Sequence, residues 1–271
     1  MSIVVNTNIG SLNAQRSLAE SSRELSTAME RLSSGKKINS AADDAAGFAI
    51  AERMTAQVRG LNMATKNAND GLAMLSTIEN ATNDVTDMLQ RIRELAVQAA
   101  NDTNGASDRA YLQTEVDSLV AEIGRVSTDT VYNDSVVLDG SLAGSIQVGT
   151  DAGQTIDFAI DSIDATTLGV DALDLSDATN AATALTAIDS AIEQVAGNRA
   201  GYGALANRLE YTVSNLMNVA EFTTAARSRI EDADFAAESA RLAKAQVLQQ
   251  TGTAMLAQAN ASSQLAIQLI R

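Results

Sequence analysis

Apolar residues in this chain recur every seven positions over most of its length. From the Asp43-Asp44 pair onward, one series runs Met54, Leu61, Ala68, Leu75, Thr82, Leu89, Ala96. A second runs Ala64, Gly71, Ile78, Val85, Ile92, Ala99. Together they make the a/d stripe of a coiled-coil seam and predict one helix over about residues 43–100, roughly 85 Å long at 1.5 Å per residue. Its candidate core residues are Leu61, Leu75, Ile78, Val85, Leu89 and Ile92. Asn101-Asp-Thr-Asn-Gly105 reads as a turn, with Ser107 or Asp108 capping a second helix that carries Leu112, Val116, Leu119, Ile123 and Val126.

The period then changes. Ser145–Gly149 and Gln154–Ile160 alternate apolar and polar residues around Thr150-Asp-Ala-Gly153, which predicts a β-hairpin. The seven-residue series resumes with Ile188, Val195, Tyr202, Leu209, Leu216, Thr223 and Ile230. Leu209 and Leu216 are its candidate core members. Gly197, Gly201 and Gly203 weaken this helix by about 1 kcal/mol each relative to Ala, and the helix is expected to continue through them.

Both ends are amphipathic as well. Leu18, Leu25 and Leu32 lie seven apart near the start. Towards the end come Phe235, Leu242, Leu256 and Ile270, flanked by Leu248, Met255 and Leu269, beside a small-residue stripe of Ala245, Gly252, Ala259 and Ala266. Isolated helices depend on packing, and these two, paired only with each other, leave apolar surface exposed. The pattern therefore predicts that neighbouring copies cover it, in a head-to-tail assembly that grows as a helical filament.

Composition supports elongated helices over a thick core. The chain has no Cys, His, Pro or Trp and only 3% aromatic residues, so its 45% apolar content is mostly small and medium aliphatics. These fill thin helix seams, and the absence of Pro leaves long helices uninterrupted. Without Cys and His there are no thiol nucleophiles, imidazole bases, disulfides or usual zinc sites.

Formal charge is −15 and unevenly spread. Between Arg125 and Arg199 there is no Lys or Arg, while Asp161, Asp164, Asp171, Asp174 and Asp177 crowd one part of that stretch. Such a segment repels nucleic acid and anionic lipid and reads as a solvated outer face. Its acidic spacing matches no EF-hand loop. No basic residue precedes Arg16, so no cleavable signal peptide is expected. From Ala245 to Ile270 the chain is uncharged, but seven amides interrupt it, so no membrane insertion is expected.

Other motifs carry no chemistry. Gly35-Lys36 lacks the spacing and the Ser or Thr of a P-loop. The Asp43-Asp44 pair suits the start of a helix dipole better than acid–base work. No catalytic residue, cofactor site or metal site is identified, and the chain is not expected to be an enzyme.

Several segments resemble bacterial flagellin. They are Asn6-Thr-Asn8 with Ser11–Gln15, the signature-like stretch Leu32–Ala51, Asn67–Gly71, Leu89–Gln98, Ala226–Phe235 and Lys244–Gln250, all in collinear order. Two departures stand out: Tyr132 is followed by Asn133-Asp134 where the family often has Asn-Gly, and the C-terminal stretch has no Pro.

The resemblance implies a mainly α fold, with long antiparallel coiled-coil helices, a small β-hairpin region and the terminal helices paired as a separate coiled-coil domain. Residues 1–42 and 231–271 would form the two halves of an inner filament-core domain. Residues 43–230 would form a rod-like helical domain with the hairpin at about 140–175, and the outer variable domains of longer flagellins would be absent. It also implies a secreted structural subunit, exported by the flagellar type III apparatus into an extracellular filament for swimming motility. Implied partners are further copies in a homo-polymer, a flagellar export chaperone, and filament cap and hook-junction proteins. Toll-like receptor 5 binds the counterpart of Gln90–Gln98 in some flagellins, which points to Arg91, Leu95, Gln98 and Glu115. The plainer reading of Arg91 and Glu115 is as ordinary interfacial charges. A hook-filament junction protein is the alternative. A chemoreceptor-like helical hairpin would need a membrane anchor.

Overall fold

The computed structural model describes the backbone of residues 7–268 and the side chains of residues 7–262. In chain order the elements are α1 (Ile9–Ser34), α2 (Ala45–Ala99), α3 (Ala106–Asp129), β1 (Val131–Tyr132), β2 (Ser135–Val136), β3 (Ala143–Gln147), β4 (Thr155–Ala159), α4 (Ala178–Glu231) and α5 (Phe235–Gln268). The fold is mainly α, with two small antiparallel hairpins. The chain forms two compact units, one of residues up to Ala56 with those from Phe222 on, the other of Gln57–Glu221.

In the second unit α2 and α4 run antiparallel. Leu61 and Ala64 pack with Leu216, and further along α2 Arg93 Nε reaches Asp189 Oδ1 at 2.6 Å. Leu61, Leu75, Ile78, Val85, Leu89, Ile92, Leu209 and Leu216 are all buried. Thr82, also in the core register, is fully buried and satisfies its hydroxyl on the Glu79 carbonyl at 3.0 Å. α4 passes through Gly197, Gly201 and Gly203 without a break, because burial of its apolar face outweighs their low propensity.

The start of α3 differs from the sequence expectation. Gly105 is the N-cap and Asp108 sits at the third helical position, reaching back to accept the Gly105 N–H at 3.0 Å. Arg109 ties the helix to the end of α2, donating to the Ala99 and Asn101 carbonyls at 2.8 and 3.1 Å. Val116 and Ile123 face the core.

The β1–β2 hairpin, which periodicity did not signal, turns on Asn133 and Asp134, both with positive φ (49° and 63°). Two successive left-handed residues match the right-handed twist of the flanking strands. β3 and β4 pair from Ala143↔Ala159 to Gln147↔Thr155, and Asn67 on α2 holds the Gln147 carbonyl at 3.1 Å. Strand pairing ends at Ala159.

The acidic stretch beyond Ala159 is more than a solvated face. Its Asp161, Asp171 and Asp174 are exposed, but Ile163, Leu168, Val170 and Leu175 are buried in the core. Gln113 of α3 clamps its backbone, accepting the Leu175 N–H at 2.8 Å and donating to the Leu173 carbonyl at 2.9 Å.

In the first unit, two breaks in the helical chain pair with each other. α1 ends on Gly35 at φ 72°, a left-handed cap that glycine adopts without steric cost, with its N–H donated to the Arg31 carbonyl. The following residues stitch to the α4–α5 junction. Lys37 N donates to the Glu231 carbonyl at 2.6 Å, and Ala233 N donates to the Gly35 carbonyl at 2.9 Å. Asp44 caps α2 through the Ala46 and Gly47 N–H groups, and Asp234 caps α5 through those of Ala236 and Ala237. Asp43 folds back on the Ser40 and Asn39 N–H groups, which hold its carboxyl below the usual range. This stitching places the first turns of α2 and the last turns of α4 in the same unit as α1 and α5.

Candidate assembly surface

α1 and α5 run antiparallel as a pair. At one end Asn8 Nδ2 donates to the Ala259 carbonyl at 2.8 Å, and Ser11 Oγ donates to Asn260 Oδ1 at 3.0 Å. At the other end Arg31 lies 3.6 Å from Glu238, a buried carboxylate also held by Arg241 at 3.2 Å. Between them the buried side chains are small: Ser11, Ser21 and Ala28 from α1, and Ala245 from α5. Gly252 lies so near Leu18 that a Cβ there would sit 3.4 Å from Leu18 Cδ1. Small residues set the spacing of the two backbones, because interaxial distance follows the side chains at the contact.

This seam leaves the larger apolar side chains at its margins. Leu18, Leu25, Leu32, Leu242 and Leu256 are half-buried. Phe235, Leu248 and Met255 are exposed, at 58%, 42% and 64%, as are Ile9, Leu12, Met29 and Val247. Leu248 and Met255 line an open groove of about 690 Å³ along the pair. Leu269 and Ile270 lie outside the described residues. No described helix is long and apolar enough to cross a membrane.

A second surface lies on α2 and α3. Arg91 bridges two carboxylates, Glu94 and Glu115, each at 2.9 Å. The Glu94 hydrogen bond, then that of Glu115, raises the guanidinium pKa. Gln98 is exposed on the same stretch of α2. Leu95 is not part of that surface: it is 1% exposed and belongs to the core. Leu95 lies in neither of the two seven-residue series of α2, so the heptad pattern gave no sign that it is buried.

Half of the eight aromatic residues, Tyr111, Tyr211, Phe222 and Phe235, are more than half exposed. Aromatic side chains as a class are enriched at protein interfaces. The described residues contain no group of three acidic side chains arranged to hold a metal ion.

Comparison with known proteins shows the family of the chain. Residues 5–143 match the bacterial flagellin N-terminal helical region, and residues 185–270 match the bacterial flagellin C-terminal helical region. A flagellin of Halalkalibacterium halodurans is 42% identical over 272 residues, covering 99% of this chain and all of that protein. The flagellar filament 33 kDa core protein of Treponema phagedenis is 40% identical over 286 residues, with 99% and 100% covered. The crystal structure of Bacillus cereus flagellin superposes with a TM-score of 0.50 at 30% identity, over 56% of this chain and 88% of that one. Matches at both termini and across whole flagellins disfavour the hook-filament junction alternative. The chain belongs to the bacterial flagellin family, whose members are the structural subunits of the flagellar filament.

Proposed function

We propose that the α1–α5 pair is the surface through which copies of this chain polymerise, with Phe235, Leu248 and Met255 seated against neighbouring subunits. The observation that carries this reading is the mismatch within the pair. Its seam is closed by serines and alanines, while its larger apolar side chains remain in water. Burying such side chains recovers about 25 cal/mol per Å² of apolar surface, which favours association. The half-buried Leu18, Leu25, Leu32, Leu242 and Leu256 form the margins of that contact.

The role is structural and not catalytic, in keeping with the family. Export in an unfolded state by the type III apparatus, delivery by an export chaperone, and placement beneath a filament cap and beyond the hook-junction proteins belong to the same reading. They are supported by family membership. Toll-like receptor 5 recognition is a second reading, resting on the exposed Arg91, Gln98 and Glu115. Leu95 would contribute only by supporting that surface from below.

Truncation tests the main reading. A chain lacking residues 235–271 should remain a soluble monomer with its central helices intact, read by circular dichroism and sedimentation, and should not extend filament seeds. Normal filaments from the truncated chain would refute it.

A further inference from the structure

The turn between α2 and α3 holds the one asparagine in this chain that is followed by glycine, Asn104-Gly105. Glycine has no Cβ to keep its backbone nitrogen away from the preceding side chain, so this pair is chemically labile. The Gly105 nitrogen can bond to Asn104 Cγ as the bond from Cγ to Nδ2 breaks and ammonia leaves. Water then opens the resulting succinimide at either carbonyl, giving aspartate or isoaspartate.

The structure both exposes and restrains this pair. Gly105 is exposed and Asn104 half-buried, so water reaches the turn. The Gly105 N–H, however, is donated to Asp108 Oδ2 at 3.0 Å, and the Asn104 amide is donated to the Gln98 carbonyl at 2.5 Å. Cyclisation requires both bonds to break, because the nitrogen must lose its proton and the side chain must swing off Gln98. We propose that Asn104 is a site of non-enzymatic deamidation, gated by the Asp108 cap, whose conversion uncaps the C-terminal end of α2.

The consequence follows from what Asn104 does in the intact turn. It supplies the shorter of two donors to the Gln98 carbonyl, at 2.5 Å beside the Asn101 N–H at 3.3 Å, at a helix end whose carbonyls lack intrahelical partners. Conversion replaces that donor with a carboxylate facing the negative end of the helix dipole, so attraction becomes repulsion. The last turn of α2, including Gln98, loosens while the core below it keeps its packing.

The full chain is incubated at mildly alkaline pH and mapped by peptide mass spectrometry, with the helical Asn207 as an internal reference. Asn104 should convert before any other asparagine, to a mixture of aspartate and isoaspartate. Losing one charge-assisted hydrogen bond in Asp108→Ala should speed that conversion about tenfold, with Asn207 unchanged. Gly105→Ala should slow it. Hydrogen exchange should show lost protection in the converted protein confined to the end of α2 and the turn. The proposal is overturned if Asp108→Ala converts at the wild-type rate, if Asn207 accelerates in parallel (global unfolding, not a local gate), or if another asparagine converts first.

Discussion

Arg199 on α4 grips Glu79 on α2: its Nε and Nη2 lie 3.1 and 2.6 Å from the same carboxylate oxygen, and its Nη1 reaches Thr86 Oγ1 at 3.5 Å. Arg199 is the first basic residue after Arg125 and stands in the glycine-weakened part of α4. Both side chains are partly exposed, at 29% and 44%, so the pair is worth only about 0.5–1 kcal/mol. Arg199→Ala should lower unfolding free energy in urea by that amount, and the difference should shrink in about 1 M salt. A loss above about 2 kcal/mol that salt leaves unchanged would contradict this.

Glycine matters in opposite senses at two positions. Gly201 lies within α4 with nothing within 4 Å of where a Cβ would sit, so Gly201→Ala should stabilise the monomer by about 1 kcal/mol. Asp134 has φ 63° in the β1–β2 turn, where a side chain is strained. Asp134→Gly should relieve that strain and stabilise by about 0.5–1 kcal/mol after the added freedom of the unfolded chain is counted. Thermal melts check both, and a lowered Tm in either variant would count against the assigned backbone roles.

Two leucines separate folding from assembly. Leu89 is fully buried in the core, and Leu89→Asp should cost more than about 4 kcal/mol by burying an unpaired charge. Leu248 is 42% exposed beside the α1–α5 groove, so Leu248→Asp should change monomer stability by only about 0.5 kcal/mol while stopping seeded polymerisation. Wild-type filament growth from Leu248→Asp would remove Leu248 from the assembly surface.

Stability should be flat across neutral pH and fall at both extremes. The chain has no His or Cys, so no side chain has an ordinary pKa between about 5 and 8. On the acid side several carboxyls are held below their usual values: Glu122 by Arg125, Asp189 by Arg93, and Asp139 and Asp174 by the N–H groups of Ser141 and Ser176. A depressed folded pKa gives stability that is present above the unfolded value and lost as pH falls, so the loss begins below about pH 5. On the alkaline side, burial pushes the Tyr202 phenol up despite the nearby Asp161 backbone. That contribution is lost as pH rises above about 10. Urea midpoints across pH read the profile, and a step of more than about 1 kcal/mol between pH 6 and 8 would contradict it.

The helices were legible because their burial is periodic. Leu61 to Ile92 and Leu209 to Leu216 each carry a repeat over many turns, and a long repeat outweighs local exceptions such as Gly71 or Thr82. The β3–β4 hairpin was legible for the same reason, through strict alternation around a turn. The Tyr132–Ser135 hairpin was not, since two residues per strand carry no period. The acidic stretch after Ile160 hid four core residues, Ile163, Leu168, Val170 and Leu175, because irregular chain buries side chains at no fixed interval.

The order of residues alone therefore determined which segments are helical, which of their faces are apolar, and that nothing in the composition equips the chain for thiol or imidazole chemistry. Periodicity is a property of one segment and needs no partner to be read. Only the tertiary structure decided that serines and alanines close the α1–α5 seam while Leu248 and Met255 stay in water. It also decided that Leu95 supports the core and not the surface beside Arg91. Which side of an amphipathic face is covered depends on how closely two backbones approach, and that distance is set jointly by residues far apart in the chain.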